Sequence, residues 1–394
     1  MIVHIFENIP HHYHNFIQFY ANHGSGGAFP PINQHKVYIQ ASGDTAKDSE
    51  NSQQLNKTGV SQVTLYSSHK ELLTLLSREK AGSQFIFHSL LSRWLWLSLL
   101  FSSVTARSHW VSWGADLYQH VLNPVQGQQK TNEKSTFKQK AIVKQKDRLK
   151  QKLAKWIQSI ASRRMMSVKC LNPGDAALLT SVLGRKTVDV LPYPLVGVGL
   201  PDWLSPFGGE SVSLLLGNSA APSNNHFELI DAVAGLADSR VMAYMPLNYA
   251  GSEEHTAKVI SYGKQQLGSA FHPITEMLTK DQYDKLLASV DGAVFAHDRQ
   301  QGLYVAYYMM LHGKKLFLKA STSTYDNFAH YGFAVETLEQ LANQSYQNLS
   351  TFKDEVRLAN QSILNQSFTE QALGPKWGDF FKQVTINSRG GHKE

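Results

Sequence analysis

The chain has 394 residues, 42% hydrophobic and 18% charged, which is enough for two α/β domains with their own cores and excludes a disordered chain. Its lone Cys170 excludes an internal disulfide and fits a reducing compartment. The net charge of +7 is local: between Lys130 and Lys169, 13 Lys/Arg face only Glu133 and Asp147, so the rest carries −4. That excludes a surface coated for nucleic acid and points to one local anionic partner.

Residues 1–7 (MIVHIFE) read as a first strand rather than a leader. Strand-like runs follow at Lys36–Gln40, Gln62–Tyr66, Gln84–His88, His109–Trp113, Met166–Cys170 and Val188–Leu191, with helical patterns at Lys70–Lys80 and Leu90–Ser102. The polar residues 42–58 read as a surface loop. Trp94–Phe101, the longest strongly apolar stretch, is far short of the about 20 residues a spanning helix needs. The Pro- and Gly-rich stretch Pro192–Gly209 marks a linker.

The pattern then restarts with strands Val212–Leu216, Arg240–Pro246, Gly292–Ala296 and Lys315–Leu318. Helices are expected from Asn225 and over Glu253–Leu267, Asp281–Ser289 and Leu303–His312, with a frayed polar end at Ser388–Glu394. Alternation of this kind predicts βαβ units around parallel sheets. The expected domains are 1–195 and 210–385, joined by residues 196–209. Two Rossmann-like domains facing each other across a cleft make an α/β fold of the GT-B type, which some epimerases and phosphorylases share with glycosyltransferases.

Three polar strand ends in the second half belong to one edge of such a sheet, where these folds bind ligands. In the first, Gly217-Asn218-Ser219 ends a buried strand and Ser223 or Asn224 is placed to cap the next helix, leaving N–H groups for a diphosphate. In the second, Arg299 can neutralise phosphate while Gln300, Gln301 and Gly302 open a helix. Asn248 and Tyr249 sit at the third. With Asn224 and Asn225 these are the donor-side candidates; each loop alone is equally readable as an ordinary turn.

In the first half, the strand ends carry Ile9-Pro-His11-His12, His88, and Ser112-Trp113-Gly-Ala-Asp116-Leu-Tyr118. His11, His12, Trp113 and Tyr118 are the acceptor-side candidates. Asp116 is the acidic candidate for a base, with His12 and His88 competing, and helix capping is its bland alternative. The histidines near residue 11 have no carboxylate or cysteine partner at metal-ligand spacing, and no D-x-D occurs anywhere. No metal or other cofactor is expected. Leu149, Leu153, Trp156 and Ile160 recur at helical spacing among Lys144, Lys146, Lys150, Lys152 and Lys155. That is the pattern of a helix lying on an anionic membrane surface, or of a solvated helix with one face on the core.

The IPHH turn, the FHS strand end, WGADLY, the GNS…SNNH loop, MPLNY and RQQG, in this order over residues 1–320, resemble the TDP-N-acetylfucosamine:lipid II N-acetylfucosaminyltransferases. These are the glycosyltransferase family 56 enzymes of enterobacterial common antigen synthesis. The resemblance implies a GT-B fold, a dTDP-4-acetamido-4,6-dideoxygalactose donor, and an undecaprenyl-diphosphate-linked acceptor at the cytoplasmic face of the bacterial inner membrane. The sequence departs from the family in its lysine-rich 130–169 segment and in the Leu-Tyr-Val that follows RQQG. Another glycan as acceptor, or a non-catalytic sugar-nucleotide-binding subunit, are the alternatives. No glutamate stands near the start of the RQQG helix, which leans toward an inverting outcome.

Overall fold

The computed structural model describes residues 1–24, 29–31, 34–56, 63–121, 137–185, 187–199, 204, 207–236 and 238–390. It divides into two compact units. Unit 1 draws on residues up to Val196 and again from Phe368, and unit 2 is Gly197–Ser367.

Unit 1 is built on seven parallel strands: β1 (Ile2–Phe6), β2 (His35–Gln40), β3 (Val63–Tyr66), β4 (Gln84–His88), β5 (Ser108–Val111), β6 (Ser167–Cys170) and β7 (Asp189–Val190). Their order is β3-β2-β1-β4-β5-β6-β7. All of β1 and β4 is buried, the polar His4, Gln84 and His88 included, as strands of a parallel sheet covered on both faces should be. One face packs Trp96, Leu99 and Trp110; the other packs Phe16, Trp377 and Phe381. The second set includes the C-terminal helix Glu370–Gly390, whose Trp377 indole donates to the Pro192 carbonyl at 2.9 Å. The chain therefore returns to unit 1 at Phe368, which corrects the expected second domain of 210–385.

Unit 2 has six parallel strands, β8 (Val212–Leu216), β9 (Val241–Pro246), β10 (Phe271–Ile274), β11 (Gly292–Phe295), β12 (Lys315–Leu318) and β13 (Glu336–Thr337), in the order β10-β9-β8-β11-β12-β13. Both sheets reverse direction of winding at one point, between β1 and β4 and between β8 and β11. Loops after those strands diverge there, the position at which open α/β sheets receive ligands.

Three local expectations are corrected. Residues within the presumed 42–58 loop form the Thr45–Asn56 helix, started by Asp44 accepting from the Ala46 amide at 3.1 Å and anchored by the buried Leu55. β10 went unread because Pro273 breaks its apolar pattern, and an edge strand tolerates that missing donor. The polar terminus is helical as far as Gly390.

Candidate functional site

Unit 2 gathers the predicted polar loops at its winding reversal. Gly217 turns with φ +70°, and a Cβ there would lie 2.8 Å from Asn224 Oδ1, so only glycine fits. Asn224 is fully buried and makes four bonds. Its Oδ1 accepts from the Asn218 amide at 2.9 Å and from His297 Nε2 at 2.8 Å, and its Nδ2 donates to Ser219 Oγ and the Ala221 carbonyl. An asparagine has no further hydrogen-bonding capacity, so Asn224 braces the loop from within.

Neither Ser223 nor Asn224 caps the following helix, contrary to expectation. Pro222–Asn224 forms a short 3-10 turn, and Asn225, at φ 53°, occupies the N-cap without using its side chain as a cap. That side chain reaches the Ala296 carbonyl at 2.7 Å and Asp298 at 3.0 Å. Gln301 completes the bridge: it donates to Asn218 Oδ1 at 3.2 Å and accepts from Ser223 Oγ at 2.8 Å. Gly302, at φ +69°, then starts the Leu303–Leu311 helix.

Arg299 is half-buried and Gln300 buried in the same turn. Lys319 holds Glu228 at 2.9 Å and Asp298 at 3.0 Å, offsetting both carboxylates beside the loop. The third loop joins through the Ala220 amide, which donates to the Tyr249 carbonyl at 2.9 Å; the Tyr249 side chain is exposed, and Asn248 Nδ2 donates to the Glu276 carbonyl. Two helix N-termini, a cationic side chain and several amides thus meet at one sheet edge, chemistry suited to a diphosphate.

Unit 1 places its candidates differently. Asp116 is wholly buried in the first turn of the Ala115–Val121 helix and accepts four hydrogen bonds. Oδ2 takes the Leu90 amide at 3.0 Å and the Trp110 indole at 2.7 Å; Oδ1 takes the Ser112 hydroxyl at 2.9 Å and the Trp113 amide at 3.0 Å. Burial raises its pKa against those bonds. This carboxylate clamps the ends of β4 and β5, which corrects its expected role of proton acceptor at the surface of the site.

His88 is likewise sealed: its ring bonds His4 at 2.9 Å on one side and the Tyr193 hydroxyl on the other, and burial holds its pKa well below the usual histidine range. His4 in turn bonds His35 at 2.8 Å, so one buried chain crosses β4, β1 and β2. Tyr118 also moves inward, its hydroxyl donating to Asp175 at 2.5 Å. His12 packs on the half-buried Trp113, which packs on Tyr193. The side chains of His11 and Lys146 lie outside the described residues.

Sequence reasoning missed Glu7, the first residue after β1. It is half-buried at the winding reversal, and its Oε1 accepts the Leu91 amide, just beyond β4, at 2.7 Å. Burial raises its pKa to about 7; the Leu91 and Ser92 amides oppose this and the Asp116 carboxylate reinforces it. The available signal was a lone carboxylate closing an apolar run beside the IPHH turn.

The basic segment becomes the Phe137–Arg164 helix, packed on the Arg93–Phe101 helix. Leu149, Leu153 and Trp156 point outward, 69, 54 and 56% exposed, and Trp94 and Phe101 are more exposed still, at 74 and 80%. Gln158, Ala161 and Ser162 face the core instead. Lys150, Lys152, Lys155, Arg163, Arg164 and Arg93 are exposed on the same two helices, with no acidic residue between Leu149 and Arg164. Among the described residues no helix is long and apolar enough to cross a membrane, and no three His, Cys, Asp or Glu converge as metal ligands.

A family model described as 4-alpha-L-fucosyltransferase glycosyl transferase group 56 matches residues 1–123 and 141–319. Among solved structures, the chain is similar to Anabaena HepE in complex with UDP and glucose (TM-score 0.64, 13% identity, 97% of this chain and 100% of that chain). It is similar to a Rickettsia africae glycosyltransferase (0.62, 11%, 97% and 98%). It is also similar to WaaG, a glycosyltransferase involved in lipopolysaccharide biosynthesis (0.59, 12%, 97% and 99%). The shared feature is the GT-B fold of two parallel-sheet α/β units.

Proposed function

This chain belongs to glycosyl transferase group 56, a nucleotide-sugar-dependent glycosyltransferase family, and from that premise we propose its donor, acceptor and place of action. The donor is dTDP-4-acetamido-4,6-dideoxygalactose, the acceptor an undecaprenyl-diphosphate-linked glycan, and the product a precursor of enterobacterial common antigen or a related surface polysaccharide. The observation that carries the reading is the joining of the Gly217–Asn225 and His297–Gly302 loops by Asn224–His297 and Gln301–Asn218. They form a ready-made seat for a nucleotide diphosphate, with Arg299 as its cation and no metal required. HepE, of similar fold, holds UDP and glucose.

Gly217, Asn218, Ser219, Asn225, Asn248, Tyr249, Gln300, Gln301 and Gly302 would line the donor side, with Asn224 bracing them. His11, His12 and Trp113 would line the acceptor side.

A lipid-linked acceptor requires the enzyme at a membrane surface. The exposed aromatic and basic face of the two packed helices supports docking on an anionic leaflet, here the cytoplasmic face of the inner membrane. Each basic side chain near such a leaflet contributes about 1 kcal/mol, so the exposed cluster suffices for reversible attachment.

The test is transfer of radiolabel from a series of dTDP- and UDP-sugars into butanol-extractable lipid, with undecaprenyl-diphosphate disaccharide in liposomes. Label from the dTDP-acetamidodideoxygalactose alone supports the reading. Transfer from a different donor would make this a group 56 enzyme for another glycan, and binding without transfer a non-catalytic subunit.

A further inference from the structure

We propose that Glu7 is the general base of the transfer: its carboxylate takes the proton of the acceptor hydroxyl as that oxygen bonds to the anomeric carbon. The bond from that carbon to the diphosphate oxygen breaks with its electron pair leaving on the nucleotide, so charge and atoms balance without a further reactant. The assignment rests on the transferase reading and on an inverting outcome.

Position argues first. Glu7 follows the central strand β1 at the one place where the sheet of unit 1 changes its direction of winding, the location at which open α/β sheets receive ligands. The Leu91 amide, 84 residues further along, orients the side chain through Oε1. Elimination of two of the three other candidates, leaving His12 on Trp113, argues second. Asp116 is wholly buried and spends both oxygens on four donors, and His88 spends both ring nitrogens on His4 and Tyr193. Neither can meet a substrate hydroxyl without dismantling the strand ends. Glu7 is half-buried and retains solvent access.

Its surroundings also suit the task. Asp116 reinforces the raised pKa of Glu7, and the Glu7 charge in turn raises Tyr66, whose hydroxyl donates to the Phe6 carbonyl at 3.1 Å. Neither supplies a positive charge to hold the carboxylate ionised, and burial brings it to about 7, where a base both accepts and releases a proton near neutrality. Holding a carboxylate there is a strain on the fold. The folded pKa lies above the ordinary carboxylate value, so ionisation costs stability at any pH above that value.

Glu7→Gln keeps the Oε1 acceptor for Leu91 and removes the charge. Measured against wild type, it should lower kcat by about 10²–10⁴-fold. The affinity for dTDP should stay unchanged and Tm should rise above pH 7, a gain that vanishes below pH 4.5. Wild-type kcat should fall below pH 7, and Glu7→Asp should keep that limb at reduced kcat. Near-normal turnover in Glu7→Gln, or a lower Tm, overturns the assignment. No transfer by the wild-type protein from any nucleotide sugar overturns the transferase reading itself, a separate result from loss confined to the variant.

Discussion

His297 donates its Nε2 proton to Asn224 Oδ1 at 2.8 Å, tying the loop after β11 to the loop after β8. The same oxygen accepts the Asn218 amide, so one side chain sets the spacing of both halves of the proposed donor seat. Asn224→Leu leaves both donors buried without a partner, at about 1–3 kcal/mol each. We expect a Tm lowered by several degrees and weaker dTDP binding by calorimetry. A variant that melts lower but binds dTDP normally would show that the brace serves the fold alone.

Arg299→Ala should weaken dTDP by roughly ten- to a hundredfold, the equivalent of a charge-assisted hydrogen bond of about 1.5–3 kcal/mol. The measurement is made in EDTA, because the proposed seat relies on Arg299 in place of a metal ion. Loss of wild-type binding on chelation would place a metal in the site, and full affinity in the variant would remove Arg299 from it.

Membrane docking makes a distinct prediction for two surfaces. Trp94 and Phe101 are exposed, so changing both to serine should leave Tm unchanged while reducing co-sedimentation with liposomes. Lys150, Lys152 and Lys155 changed together to Glu should abolish the preference for anionic lipid, at about 1 kcal/mol per charge before the reversal is counted. Retention of both variants on anionic vesicles would turn the face toward a protein partner.

The buried histidines predict acid lability. Burial lowers His4, His109 and His297 to about 3 from an ordinary 6.5. A depressed folded value means the unfolded chain takes up protons first, so the stability present above pH 6.5 is lost as pH falls toward 3. At pH 5 each such ring costs about 2 kcal/mol relative to pH 7.5. Urea midpoints should drop across that interval, with His4 most sensitive because an added proton sets two N–H groups facing in the His35–His4–His88 chain. A flat profile between pH 7.5 and 5 would contradict this.

Much of this architecture can be read along the chain because parallel strands buried on both faces are short, mostly apolar runs, as Ile2–Phe6 (interrupted only by His4) and Gly292–Phe295 are. The donor-side loops are legible for a related reason: Gly217 and Gly302 mark turns that need positive φ at strand ends. Long-range relations leave no such mark. Nothing local says that Trp377 and Phe381 return to the first sheet, or that an amide 84 residues distant orients Glu7. The Leu149–Trp156 stripe is ambiguous in another way, since a face on the core and a face on a membrane share one periodicity. Only the outward placement of its side chains separates them.

Asp116→Asn should damage the fold and not the chemistry. The carboxylate presents two acceptor oxygens to four donors, whereas an amide in its place offers one oxygen and turns an NH2 group toward two of them. Two donors among Leu90 N–H, Trp110 Nε1, Ser112 Oγ and Trp113 N–H then lose their partner in a site closed to water. At about 1–3 kcal/mol for each, Tm should fall by more than any helix-cap loss explains. The loss should deepen at acid pH: the folded pKa of Asp116 is raised, so ionisation costs the native protein stability at higher pH, and that cost disappears as the native carboxyl takes up a proton while asparagine does not titrate. Folded Asp116→Asn protein, assayed well below its Tm, should keep an acid limb of kcat, moved to lower pH because the Asp116 charge that helps raise Glu7 is gone, since Asp116 holds the ends of β4 and β5 without receiving the acceptor's proton. Loss of that acid limb in a variant of normal Tm would return the base to Asp116.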